Sequence, residues 1–310
     1  MRILVMGTGG IGGYFGGQLA RAGNDVTFVA RGAQLAALRE RGLNVQSELA
    51  PVQLTRINVT DDPASAGVFD VVLFCVKLWD VAPAIEQIAP AVAPSGLAIP
   101  FQNGIETHKA LIARLGASRV AGGVAYIAVA ATAPGVITHT GKFAKLRVGI
   151  FAGATPPLLL ARLVAAGKAA GIDIDTVADI ERALWEKFVF LAAFSGVTAA
   201  ARRPIGALRA DADLCALLRA SMLETVAVAR ALGTMIDADY VERQMQFIDT
   251  MPAAAQSSLL TDLAAGRRLE VPWLSGAVAR MANAAGVAAP VNATLYAILK
   301  PFVAGDSPRQ

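Results

Sequence analysis

Gly7-Thr8-Gly9-Gly10-Ile11-Gly12 is a G-x-G-x-x-G run, and its surroundings give it meaning. A short apolar β-type run, Arg2–Met6, leads into it and helical spacing follows to about Ala22. Val26–Ala30 then reads as a second strand, which makes a β-turn-α-turn-β unit of about 30 residues. One glycine of such a loop permits the tight turn, one lets backbone approach a pyrophosphate, and one lets helix and strand pack closely. The helix N-terminus offers free N–H groups and partial positive charge to the phosphates. Gly7, Thr8, Gly9, Gly10, Ile11 and Gly12 are therefore candidate dinucleotide-binding residues. An NAD enzyme usually has Asp or Glu at the end of the second strand, to hold the ribose 2′-OH. This chain has Val29-Ala30-Arg31-Gly32. Arg31 can hold a 2′-phosphate by bidentate hydrogen bonds, so the expected cofactor is NADP(H); the alternative is an ordinary surface arginine. Lys77 ends a later strand on the edge where ligands bind, and is either a second positive charge near that phosphate or a solvated lysine.

Carbonyl reduction with such a cofactor needs a proton donor near the oxygen that gains charge. The two histidines, His108 on a polar helix start and His139 among strand residues, both read as incidental. Lys187 lies beside a strongly apolar stretch in Leu184-Trp185-Glu186-Lys187-Phe188-Val189-Phe190. A desolvated lysine has a lowered pKa and can serve as an acid, whereas a snorkelling lysine is a surface feature. Glu270 stands where a new helix begins, two residues before Pro272, and reads either as a site carboxylate or as a helix-capping acid. Cys75 and Cys215 form no C-x-x-C pair, so no metal site and no disulfide framework are expected, and a reducing compartment fits.

The elements that must position these groups fall into two parts. Asp70–Val76 is a continuous apolar run suited to a strand covered on both faces. A helix over about 81–88, a turn at Pro94-Ser95-Gly96, a strand over 97–101 and a helix over 107–115 follow. Strands near 120–131 and 135–150 are expected to finish the same sheet. After Val177 helical spacing dominates, over 181–201, 211–232, 238–249, 253–265, 272–285 and 290–303. The expectation is an α/β N-terminal Rossmann-type doubly wound domain over 1–178 and an all-α C-terminal domain over 179–310 that carries substrate binding and dimerisation.

The 310 residues carry a net charge of +4 with 17% charged residues, which suits a small anionic ligand and lacks the Lys/Arg stripe that nucleic acid needs. The uncharged run Val120–Gly141 is broken by Gly122-Gly123 and Pro134-Gly135 and reads as strands joined by a turn, so no membrane span is expected. With no signal-peptide core at the start, a cytoplasmic location is expected. A homodimer is the default assembly.

The chain resembles the ketopantoate reductase (2-dehydropantoate 2-reductase) family over nearly its whole length. The resemblance is carried by the glycine run, Cys75-Val76-Lys77-Leu78-Trp79, Gln102-Asn103-Gly104-Ile105, Leu184-Trp185-Glu186-Lys187-Phe188, and Ser257-Ser258-Leu259-Leu260-Thr261-Asp262 running into Gly266-Arg267-Arg268-Leu269-Glu270. It implies that Lys187 is the catalytic proton donor. It implies that Asn103 sits at the cofactor–substrate junction and bonds the reacting oxygen. Glu270 would engage substrate and help set the site's protonation state, Ser258 would contact the substrate's polar end, and Arg31 and Lys77 would grip the 2′-phosphate. The family often has asparagines four and eight residues after its lysine, where this chain has Leu191 and Ser195. Ser195 remains a candidate substrate contact of shorter reach. The implied activity is reduction of 2-dehydropantoate by NADPH; the alternatives are reduction of a different 2-oxo acid or carbonyl compound, and a non-catalytic NADPH-sensing module.

Overall fold

The computed structural model describes residues 1–152 and 158–305. The chain forms two compact units: Met1–Gln102 with Glu106–Glu181, and Asn103–Ile105 with the chain from Arg182 onward.

The first unit opens with β1 (Arg2–Met6), α1 (Gly10–Arg21), β2 (Asp25–Val29) and α2 (Gly32–Arg41). Three short strands follow: β3 (Leu43–Gln46), β4 (Val52–Leu54) and β5 (Asn58–Thr60). Next come β6 (Phe69–Phe74), α3 (Val81–Ile88), β7 (Val92–Pro100), α4 (Thr107–Leu115), β8 (Gly122–Ala133), β9 (Val136–Gly149), α5 (Leu158–Ala169) and β10 (Asp173–Thr176). The first sheet runs β5-β2-β1-β6-β7, with every pair parallel. Side chains alternate across a strand, and β1 sends Ile3 and Val5 into one core with Tyr14, Phe15 and Leu19 of α1. Leu4 and Met6 enter a second core with Ala84, Ile85 and Ile88 of α3 and Leu111 and Leu115 of α4. Helices on both faces of a parallel sheet are the doubly wound arrangement expected from the sequence.

The strands near 120–150 depart from expectation. They do not finish this sheet. β8 and β9 pair antiparallel with each other, joined at Pro134-Gly135, and belong to a second sheet ordered β10-β9-β3-β4. An antiparallel hairpin needs only a two-residue turn, whereas joining the parallel sheet in sequence needs a crossover between strands. A single bridge, Ala98 to Val120, marks the approach to β7.

The second unit is helical: α6 (Ile180–Ala201, which begins two residues ahead of the unit), α7 (Ile205–Arg209), α8 (Ala212–Ala231), α9 (Tyr240–Thr250), α10 (Ser258–Ala264), α11 (Ser275–Ala284) and α12 (Pro290–Leu299). By length and composition α6 could cross a membrane, but 67% of its most apolar window is buried in the fold, as in a core helix. Trp185 packs edge-on to Phe188, and Phe190 stacks on Phe194. α8 starts on Asp211, whose carboxylate accepts from the amides of Asp213 and Leu214. The buried hydroxyl of Ser221 and amide of Asn292 satisfy each other, and Glu224 accepts from the Asn292 side chain and from the first-turn amides of α12. This closed network fixes α8 against α12.

Candidate functional site

The glycine loop is built from the end of β1. Gly7 has φ of +98°, and a Cβ there would meet Val76 N at 2.9 Å. A Cβ on Gly12 would lie 2.2 Å from Gly7 O, so helix and loop close only with glycine at both places. Thr8 is tied to β2 twice, its amide and its hydroxyl each donating to Val29 O at 3.0 Å. Gln34, which the sequence did not single out, donates from Nε2 to Thr8 O at 2.8 Å and accepts from Gly135 N at 2.9 Å. The first bond within α1 runs from Gly13 N to Gly9 O, leaving the amides of Gly10, Ile11 and Gly12 ahead of the hydrogen-bond ladder. Nothing approaches within 4 Å of a Cβ built at Gly9, so the loop is open there. Open backbone, free amides and a 12-residue helix behind them fit a pyrophosphate. Gly12→Ala is expected to overpack the loop by roughly 1–3 kcal/mol. Thermal unfolding should shift down and dinucleotide titration should show lost affinity; unchanged affinity would contradict the role given to the loop.

Arg31 caps α2 just beyond β2. Its side chain is 78% exposed and bonds the carboxylate of Asp80 at 2.5 Å. Lys77 Nζ lies 5.5 Å over the ring of Trp79. Cys75 lies beside Gly12, and burial pushes its thiol up, which keeps it protonated and inert.

The second unit holds the other candidates. Lys187 of α6 donates to Asn103 Oδ1 at 3.0 Å. Burial pushes the Lys187 ammonium down to about 8. The Asn103 turn continues into Gly104, where a Cβ would sit 3.4 Å from the carbonyl of Trp273. Trp273 closes the one-turn 3₁₀ segment capped by Glu270, its amide donating to Glu270 O at 3.0 Å. The turn thus meets α6 through Asn103, and the segment that follows Glu270 through Gly104. Ser258 is exposed at the first position of α10. Its neighbour Ser257 is the buried cap, hydrogen bonded to the Thr198 hydroxyl at 2.7 Å. Leu191 is half-buried one turn beyond Lys187. Ser195, a further turn on, is 1% exposed, and its hydroxyl has no hydrogen-bond partner among the described residues.

Both histidines lie in the first unit. His108 stacks on Phe151 and burial lowers its pKa to about 4. His139 is held between the Ser47 hydroxyl and the Phe143 carbonyl. Among the described residues no cluster of three or more His, Cys, Asp or Glu could hold a metal ion.

A family model described as ketopantoate reductase PanE/ApbA matches residues 3–153, and one described as the C-terminal part of the same family matches 179–303. The chain belongs to the ketopantoate reductase family. It is 31% identical to an uncharacterized oxidoreductase, YkpB, of Bacillus subtilis over 98% of this chain and 99% of that protein. It is 32% identical to a 2-dehydropantoate 2-reductase of Halobacterium salinarum, over 97% and 98% of the two chains. A 2-dehydropantoate 2-reductase structure from Geobacter metallireducens superposes with a TM-score of 0.90 at 31% identity, covering 97% of this chain and 99% of that one. The fold extends to D-mandelate dehydrogenase with NADH, at a TM-score of 0.86 and 17% identity, covering 97% and 98% of the chains. As a member of the ketopantoate reductase family the chain is an oxidoreductase, and the family implies a nicotinamide cofactor, which the glycine loop fits.

Proposed function

We propose that the enzyme reduces 2-dehydropantoate to pantoate with NADPH, a step towards pantothenate. The observation that carries the reading is the Lys187–Asn103 pair: a desolvated ammonium held 3.0 Å from an amide, in a chain whose full-length relatives include named 2-dehydropantoate 2-reductases. When bound, the nicotinamide supplies hydride to C2 of the 2-oxo acid. Lys187 gives its proton to the keto oxygen as charge develops there. The Lys187 bond spends the oxygen of the Asn103 side chain, which leaves its N–H donors for the same oxygen. Glu270 and Ser258 take the substrate's polar groups. The glycine loop holds the pyrophosphate, and Arg31 with Lys77 takes the 2′-phosphate, which favours NADPH. In this reading the enzyme works in the cytoplasm on a small anionic substrate. A homodimer through the helical unit fits its exposed apolar side chains, Leu223, Met235 and Ile298 among them.

Reduction needs Lys187 protonated. With its pKa held near 8, kcat/KM for reduction should fall above about pH 8, and the reverse oxidation should rise through the same value. A pH–rate profile in both directions checks this. A reduction rate flat from pH 7 to about 10 would contradict Lys187 as the acid.

A second reading keeps the chemistry and changes the substrate. Leu191 offers no hydrogen bond and the Ser195 hydroxyl is buried, so that stretch of α6 is poor in groups to hold a substrate hydroxyl. NADPH oxidation with ketopantoate beside a panel of 2-oxo acids decides between them. Turnover of ketopantoate at a kcat/KM of about 10⁴ M⁻¹s⁻¹ or better supports the first reading. A panel acid of greater efficiency, with weak ketopantoate turnover, favours the second. Tight NADPH binding without oxidation by any acid would leave only a sensing module.

A further inference from the structure

We infer that Asp80 competes with the 2′-phosphate of the cofactor for Arg31, so that the enzyme accepts NADH beside NADPH; this rests on the dinucleotide reading above. Among the described residues the acidic partner of Arg31 is Asp80, and the two side chains differ in exposure. Arg31 is 78% exposed, while Asp80 is 23% exposed and anchored in the turn between β6 and α3. The half-buried carboxylate holds the exposed guanidinium. Asp80 is not needed there as a helix cap, because its side chain makes no capping bond to α3.

Its position gives the pair a second meaning. Residues just beyond the second strand of this topology face the ribose 2′ position. A carboxylate at that place accepts a hydrogen bond from the 2′-OH of NAD(H), and an arginine takes the 2′-phosphate of NADP(H). This site has both, 49 residues apart in sequence and joined in space. A 2′-phosphate that seats on the Arg31 fork must share it with Asp80 or displace it, and meets a like charge close by. With a 2′-OH instead, the Arg31–Asp80 pair stays intact and the carboxylate accepts the hydroxyl. Asp80 therefore lowers affinity for NADPH, supports NADH, and narrows the preference that Arg31 alone would set.

The test uses the whole enzyme and direct binding. Calorimetric titration with 2′,5′-ADP and with 5′-ADP isolates the 2′-phosphate from the rest of the cofactor, and fluorescence titration with NADPH and NADH completes the set. Asp80→Asn should tighten 2′,5′-ADP and NADPH about tenfold, as expected for one charge removed beside a phosphate. It should leave 5′-ADP and NADH unchanged or weaker. Asp80→Glu, which keeps the carboxylate, should retain the wild-type ratio. A ratio of NADPH to NADH affinity unmoved by Asp80→Asn, in a variant with wild-type thermal unfolding, would overturn the inference while both dinucleotides still bind. Binding of neither dinucleotide to the wild-type enzyme would overturn it together with the cofactor assignment.

Discussion

Lys187→Ala is expected to lower kcat for ketopantoate reduction by about 10²–10⁴-fold, the usual worth of a positioned general acid. The lysine is unlike the other lysines among the described residues. It sits on a core helix between Trp185, Phe188 and Val189, which are fully buried, and its ammonium is brought to about 8 by desolvation. At neutral pH it is still protonated, and it releases the proton more readily than an exposed lysine. Removing it leaves Asn103 to stabilise the alkoxide alone, with no proton to give. Lys187 acts on the substrate's keto oxygen, so the loss should appear in kcat, with dinucleotide affinity unchanged. Lys187→Arg keeps a positive charge that does not deprotonate, so it should rescue substrate binding better than turnover. A Lys187→Ala enzyme with near wild-type kcat would remove Lys187 from the mechanism.

Arg31→Ala is expected to raise the KM for NADPH about 10–100-fold, with kcat little changed, and to leave the KM for NADH near its wild-type value. Charge-assisted hydrogen bonds of this kind contribute about 1.5–3 kcal/mol. The substitution also strips Asp80 of its ion-pair partner, which adds a bare carboxylate beside the phosphate. The check is steady-state kinetics with both cofactors at saturating 2-oxo acid. Equal loss with NADPH and NADH would mean that Arg31 supports the local fold and does not read the 2′ position.

Much of the cofactor half is legible in the sequence because local chemistry dictates it. A tight strand-to-helix turn demands glycine at Gly7 and Gly12 whatever the rest of the chain does, and the Arg2–Met6 and Val26–Ala30 runs bracket it. The apolar run at 69–74 is equally clear, since a strand covered on both faces has no polar side to show. The hairpin over 122–149 has strong strand character, but composition does not say which sheet a strand joins. That depends on the two-residue connection at Pro134-Gly135 and on pairing with β3 and β10, which are four residues each and too short to carry a periodic signal. The same limit applies to the site. Lys187, Asn103 and Glu270 are readable as residue types in a resembling motif, but the bond from Lys187 to Asn103 spans 84 residues and no spacing rule predicts it. Asp80 is the first residue after the Cys75–Trp79 motif and carries no signal until the fold brings Arg31 against it. The Ser257–Ser258 doublet shows the opposite case: the type is right at both positions, and only the helix start decides which hydroxyl is a cap and which is exposed.

Hydride is expected to pass from NADPH to C2 of ketopantoate on this enzyme. This transfer is tested most directly by supplying NADPH deuterated at C4, each stereoisomer in turn, and analysing the product by mass spectrometry. Pantoate should carry one deuterium at C2 from one of the two cofactor isomers and none from the other. Absence of pantoate with either isomer, in an enzyme that binds NADPH, would contradict it.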